Sequence, residues 1–254
     1  MFNFLLIIVY ICLICIRYYI LLSWLFILPY YNLKFSFWIN SEFIIMNTLI
    51  IANGNLPQKN ILKRLVSSAE TIICADGGAN VARKNKILPD VILGDFDSIT
   101  SSTKIYFKNI LQLHIKNQYS TDLEKAICYC FVKNIPSVTI VGATGNRIDH
   151  STGSLGCFKK FGHLIEIIIV DEVGELCLIK KKIQFTAKRK EKISLIPLDK
   201  CKGITTQNLK YKLKNESLEL GVREGISNEA TSSNVSITVK KGTLLLYRFF
   251  HRQP

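Results

Sequence analysis

From residue 47 to about 170, short apolar runs alternate with segments of helical periodicity. Leu49–Ala52, Thr71–Ala75, Val91–Leu93, Leu111–Ile115, Val138–Val141 and Ile165–Val170 are rich in Ile, Val and Leu and nearly continuous. Strands covered on both faces read this way, so these six are predicted to be buried strands. Between them, Gln58–Ser68, Ala79–Asn85, Asp122–Lys133 and Ile148–Phe161 read as helices, with Leu123, Ala126, Ile127 and Cys130 at helical spacing. The alternation predicts an α/β fold with a doubly wound, mostly parallel sheet.

After Val173 the helical pattern stops. Leu176–Ile179, Ile193–Ile196, Ser217–Leu220, Val235–Val239 and Leu244–Arg248 read as strands, punctuated by Gly203, Gly221, Gly225 and Gly242. The pattern predicts an all-β sandwich or open barrel, and hence a division into residues 46–173 and 174–254.

Residues 1–45 stand apart. Arg17, Lys34 and Glu42 are their only charged side chains, so they carry +1 of the net +14. Phe4–Leu28 is long enough to span a bilayer. A central Arg costs roughly 3 kcal/mol on the insertion scale, against roughly 0.3–0.6 returned by each Leu, Ile or Phe. Two readings stay open: a membrane tether, or an upstream stretch with the true start at Met46. Without a basic n-region or a small-residue cleavage site, the segment makes a poor secretory signal.

The basic balance fits polyanionic partners. Lys residues over 180–214 are scattered rather than gathered on one helix face, as on a solvated surface. No basic patch with interleaved aromatics supports a nucleic-acid binder. The eight cysteines show no zinc spacing, and Cys128 and Cys130 point to different sides of a helix. They read as buried reduced thiols.

Ligands of open parallel sheets bind beyond the carboxyl ends of the strands, and three unusual segments sit there. In Ala75-Asp-Gly-Gly-Ala-Asn80, Gly77 and Gly78 permit close backbone approach and a helix N-terminus follows. In Gly94-Asp-Phe-Asp-Ser98, Asp95 and Asp97 lie at the end of a buried strand. Such carboxylates are costly unless paired or metal-bound, and Mg²⁺ accepts one or two of them. The third is composite. Gln118-Tyr-Ser-Thr-Asp122 leads into a helix, where Thr121 or Asp122 also reads as an N-cap. Gly142-Ala-Thr-Gly-Asn-Arg-Ile-Asp-His150 places Thr144 and Gly145 as a phosphate cradle and Arg147 for bidentate phosphate contact.

The four motifs Asp76–Asn80, Gly94–Ser98, Thr121-Asp122 and Gly142–His150 resemble, in order and spacing, those of thiamine pyrophosphokinases. The resemblance runs from Asn47 to the end and includes Leu209–Leu213 and Gly225–Asn228. It implies a nucleotide-binding α/β domain joined to a β-sandwich, and a homodimer with active sites between subunits. The implied reaction moves the terminal pyrophosphoryl group of ATP to the hydroxyl of thiamine, with Mg²⁺. Asp76, Asp95, Asp97 and Asp122 would hold the metal. Gly77, Gly78, Asn80, Gln118, Thr121, Thr144, Gly145 and Arg147 would surround the nucleotide. Asp97, Asp122 and Asp149 would lie at the reacting groups, and Ser227 and Asn228 at thiamine. Asn117 and Tyr119 replace acids common in the family, and Tyr211-Lys212-Leu213 replaces an aromatic-Pro-Leu stretch. The location implied is cytoplasmic, with membrane contact only through residues 4–28. An alternative is an Asp-nucleophile phosphatase with Asp95 phosphorylated and Asp97 as acid/base, which would release inorganic phosphate.

Overall fold

The computed structural model of the protein describes residues 48–145 and 147–250. The apolar segment 1–45, the two readings of it, and Asn146 lie outside the described residues.

Six strands form a parallel array: β1 (Thr48–Ile51), β2 (Thr71–Ala75), β3 (Val91–Gly94), β4 (Leu111–His114), β5 (Ser137–Val141) and β6 (Glu166–Val170). Five helices intervene: α1 (Lys59–Ser68), α2 (Gly78–Lys84), α3 (Ser101–Tyr106), α4 (Asp122–Val132) and α5 (Ile148–Phe161). Then follow β7 (Gly174–Ile179), β8 (Lys182–Thr186), β9 (Lys192–Pro197), β10 (Cys201–Gln207), β11 (Glu216–Leu218), β12 (Gly225–Glu229), β13 (Asn234–Thr238) and β14 (Leu244–Phe249). The large sheet runs β12-β9-β14-β7-β6-β5-β1-β2-β3-β4, and a smaller one β11-β10-β13-β8. This is the expected α/β sheet followed by a β-sandwich.

The core explains the continuous apolar runs. On β1, Ile50 packs with Leu123, Ala126 and Ile127 of α4, while Leu49 and Ile51 pack with Ile61, Leu62 and Leu65 of α1. A strand covered on both faces has no polar side to show. Leu244, Leu245 and Leu246 of β14 repeat this arrangement. Leu245 joins the helix-covered cluster, while Leu244 and Leu246 join Phe185, Val235 and Ile237 beneath the small sheet. The division expected at residue 173 falls in the turn between β6 and β7, which pair antiparallel with Ile168 opposite Cys177. One sheet therefore serves both halves.

Four elements escaped the sequence pattern. Helix α3 leaves Ile105 and Tyr106 exposed, so it carries no apolar stripe. Strands β8 and β10 are covered on one face only, and their polar alternates mask the strand signal, while β12, at the sheet edge, has a register shift between Gly225 and Asn228 that breaks its alternation. Cys74, Cys130, Cys157 and Cys201 are buried free thiols, but Cys128 is exposed, two positions from buried Cys130 on α4. The expectation of buried thiols is corrected at Cys128 by this helical geometry.

Candidate active site

The strand order reverses between β1 and β5, where a doubly wound sheet opens its crevice. There the Gly54 N–H donates to the Gly142 carbonyl at 2.7 Å, and the Asn55 N–H to the Thr144 carbonyl at 2.8 Å. A Cβ on Gly54 would lie 2.2 Å from the Thr144 oxygen, so the two loops touch only because residue 54 is glycine. Gly54 and Asn55 were not among the residues singled out from sequence, because the contact joins segments about ninety positions apart.

Three carboxylates converge beside this crevice. Asp76, Asp95 and Asp122 each bring one oxygen to within 4.8 Å of the others. Asp76 follows β2 with φ of 41° and is 3 % exposed. The Ser98 N–H donates to its Oδ2 at 3.1 Å, but its Oδ1 is buried with no hydrogen-bond partner among the described residues. Burial pushes the Asp76 carboxyl up, against the lowering effect of Ser98. Gly94 makes the convergence sterically possible. A Cβ there would stand 2.8 Å from the Asp76 Cβ and 3.1 Å from Asp122 Oδ1.

Asp95 lies near two donors, Gln118 Nε2 at 3.4 Å and Lys125 Nζ at 3.5 Å from its Oδ2. Partial burial raises its carboxyl, but the Asp97 N–H and the Lys125 ammonium outweigh that and hold it below the usual range. Lys125 also reaches Asp122 Oδ1 at 2.8 Å. Reading the sequence did not single out Lys125. Its one signal was the three-residue spacing from Asp122 on a helix.

Asn80 and Thr121 have structural partners. Asn80 Nδ2 donates to the Ser98 carbonyl at 2.8 Å, and its Oδ1 accepts from the Thr100 N–H at 3.1 Å, pinning the Asp95–Ser98 loop to α2. Thr121 is the N-cap of α4, its hydroxyl accepting from the Glu124 N–H at 3.2 Å. Asp97 is exposed next to the trio and accepts from the Ser98 hydroxyl at 2.8 Å. Arg147 and Asp149 pair with each other on the exposed start of α5, at 2.5 Å. That hydrogen bond holds the Asp149 carboxyl down at about 2. His150 is exposed beside them.

A second concavity of about 250 Å³ lies in the antiparallel half, lined by Leu195, Tyr211, Leu213, Arg223, Ile226 and Asn228 among others. Asn228 is buried; its Oδ1 accepts from the Tyr211 N–H at 3.0 Å and its Nδ2 donates to the Tyr211 carbonyl at 2.7 Å. It thus fixes the segment that departs from the family's aromatic-Pro-Leu stretch. Ser227 has φ of 59°, and its N–H donates to the Ser194 hydroxyl at 3.0 Å.

Fold and site together define a protein of the α/β class with a carboxylate trio over the carboxyl ends of a parallel sheet and a β-sandwich attached. Two family models match the chain: "Thiamin pyrophosphokinase, catalytic domain" over residues 62–169, and "Thiamin pyrophosphokinase, vitamin B1 binding domain" over residues 180–244. The chain belongs to the thiamin pyrophosphokinase family. It is 28 % identical to thiamine pyrophosphokinase of Bacillus subtilis over 213 residues, covering 80 % of this chain and 99 % of that protein. It is also 28 % identical to thiamin pyrophosphokinase 1 of Caenorhabditis elegans over 194 residues, 69 % of this chain and 78 % of that one. The crystal structure of the Bacillus subtilis enzyme superposes with a TM-score of 0.69 at 26 % identity, covering 80 % and 98 % of the two chains. Thiamin pyrophosphokinase from Candida albicans shares the fold, with a TM-score of 0.73 at 17 % identity, covering 84 % of this chain and 94 % of that one.

Proposed function

We propose that this chain transfers the pyrophosphoryl group of ATP to the hydroxyl of thiamine, giving thiamine diphosphate and AMP, with Mg²⁺ held by Asp76, Asp95 and Asp122. The observation that carries the metal reading is the buried, unpartnered Oδ1 of Asp76 within the carboxylate trio. A buried carboxylate oxygen without a donor is costly, and a hard cation satisfies it. The donor set is all oxygen, which suits Mg²⁺.

When bound, the ion supplies positive charge against the phosphate oxygens. The residues do the rest. The loops at Gly54 and Gly142–Gly145 bring backbone close to the polyphosphate at the crevice. Gln118 and Asn80 position the Asp95 loop from either side. Arg147, exposed beyond the Gly142–Gly145 loop, exchanges its Asp149 partner for phosphate. Asp97, exposed beside the trio, takes the proton from the thiamine hydroxyl. General-base help of this kind is worth about 10²–10⁴-fold. Asp97→Asn is therefore expected to lower kcat/KM by about 10²-fold or more, while His150→Ala changes it only a few-fold. Equal losses in steady-state assays of the two variants would contradict the ranking.

In this reading thiamine binds at the concavity lined by Tyr211 and Asn228, with Ser227 adjacent to Asn228 in the chain. Tyr211, Leu220, Val222 and Ile226 are large exposed apolar side chains from the same stretch. We take a second copy of the chain as the partner that covers them, bringing one subunit's thiamine site to the other's carboxylates. Among the described residues no helix is long and apolar enough to cross a membrane. A cytoplasmic location fits the ATP requirement.

The test is incubation of the chain with ATP, Mg²⁺ and thiamine. Equal amounts of AMP and thiamine diphosphate are expected. ADP or inorganic phosphate as the product would reject the proposal, and the latter would favour the phosphatase reading.

A further inference from the structure

Lys125 lies in the first turn of α4, flanked by buried Leu123, Ala126 and Ile127. Its side chain is 3 % exposed. A buried ammonium must be paired, and Lys125 is paired with Asp122 and Asp95, both members of the carboxylate trio. Three ionised carboxylates carry a charge of −3; with Lys125 the cluster carries −2, equal and opposite to one divalent cation. An ammonium in this position attracts the same oxygens that would ligate the ion and repels the ion itself. That repulsion involves a doubly charged partner at short range in a shielded site, where screening by water is weak.

We propose that Lys125 is an internal counter-cation of the trio. It holds Asp95 and Asp122 in position when no ion is bound, and it keeps the free protein's affinity for a divalent cation low. The ion is then retained only in company with the negative charge of a polyphosphate. The inference rests on the trio being the metal site. A merely structural Lys125 would anchor α4 and leave metal affinity unchanged or reduced when removed.

The test uses the full chain, Mn²⁺ alone as probe, and no nucleotide. Mn²⁺ affinity is followed by the paramagnetic signal of the free ion, and melting temperature is read in EDTA and in saturating Mn²⁺. Lys125→Met keeps the length and loses the charge. It is expected to bind Mn²⁺ at least about tenfold more tightly than the native chain, to melt lower in EDTA, and to recover in Mn²⁺. Lys125→Arg is expected to retain weak binding. Should Lys125→Met fail to fold even in Mn²⁺, Lys125→Gln takes its place with the same expected order. Unchanged or weaker Mn²⁺ binding, or a melting deficit that persists in saturating Mn²⁺, would overturn the proposal. Adding Asp76→Asn to Lys125→Met separates the two layers. The gain must vanish in the double variant; a gain that survives would place the ion elsewhere and overturn the metal-site reading itself.

Discussion

Asp76→Asn is expected to raise the melting temperature of the metal-free chain by a few degrees while lowering kcat/KM by about 10³-fold. The gain in stability has three sources in the structure. Asp76 Oδ1 is buried without a partner, and an unsatisfied buried group costs about 1–3 kcal/mol. A neutral amide in its place also removes the like-charge repulsion from Asp122 that adds to burial in raising the Asp76 carboxyl. The backbone φ of 41° is one that Asn tolerates well. The loss in activity follows from removing a charge that the proposed ion needs. The pH dependence gives a second handle. Burial raises the Asp76 carboxyl above its ordinary value of 3.8, so the native fold binds its proton more readily than the unfolded chain does. Stability from this group therefore falls as pH rises from 3.8 through the raised value. The melting gap between variant and native chain should accordingly be widest at neutral pH and shrink below 3.8, where Asp76 is protonated in both states. A variant that melts lower in EDTA at neutral pH would refute this account of Asp76.

Gly78→Ala is expected to destabilise the chain by about 3 kcal/mol in urea unfolding, or to leave it insoluble. Its Cβ would stand 2.0 Å from the Ile51 carbonyl oxygen and 2.8 Å from the carbonyl carbon. Ile51 belongs to β1, hydrogen-bonded to β2 on one side and β5 on the other, so its backbone cannot move aside alone. Gly153→Ala supplies the contrast. Gly153 lies within α5, and a Cβ there meets nothing within 4 Å. Replacing a helix-interior Gly by Ala should stabilise by about 0.5–1 kcal/mol. Similar effects from the two substitutions would show that the β1–α2 contact is looser than described.

The site was legible in sequence where its chemistry sits directly after an apolar run. Asp76 and Asp95 follow β2 and β3, so strand recognition alone placed both at one edge of the sheet. Asp122 could be placed there only through the winding that carries the chain from β4 into α4, and its local reading as a helix start was equally sound. Lys125 was illegible because a lysine on a helix is ordinarily solvated; only the fold turns it inward onto Asp122 and Asp95. The contact between Gly54 and the Gly142–Thr144 loop joins strands β1 and β5, adjacent in the sheet but far apart in the chain. Asn80 and Asn228 were identified as candidate ligand residues, and the fold gives each an additional task, pinning the Asp95 loop and the Tyr211 segment. In the antiparallel half, strands with one wet face lost their signal among lysines, whereas β14, dry on both faces, stood out as Leu244-Leu245-Leu246.

The most direct test of the central claim follows the β-phosphorus of ATP. With ATP labelled at that position, thiamine and Mg²⁺, the label is expected in thiamine diphosphate, with unlabelled AMP formed in equal amount and both products formed about 10³-fold more slowly by Asp76→Asn. Label recovered in ADP, with a thiamine monophosphate product, or undiminished turnover in Asp76→Asn, would contradict pyrophosphoryl transfer at this carboxylate trio.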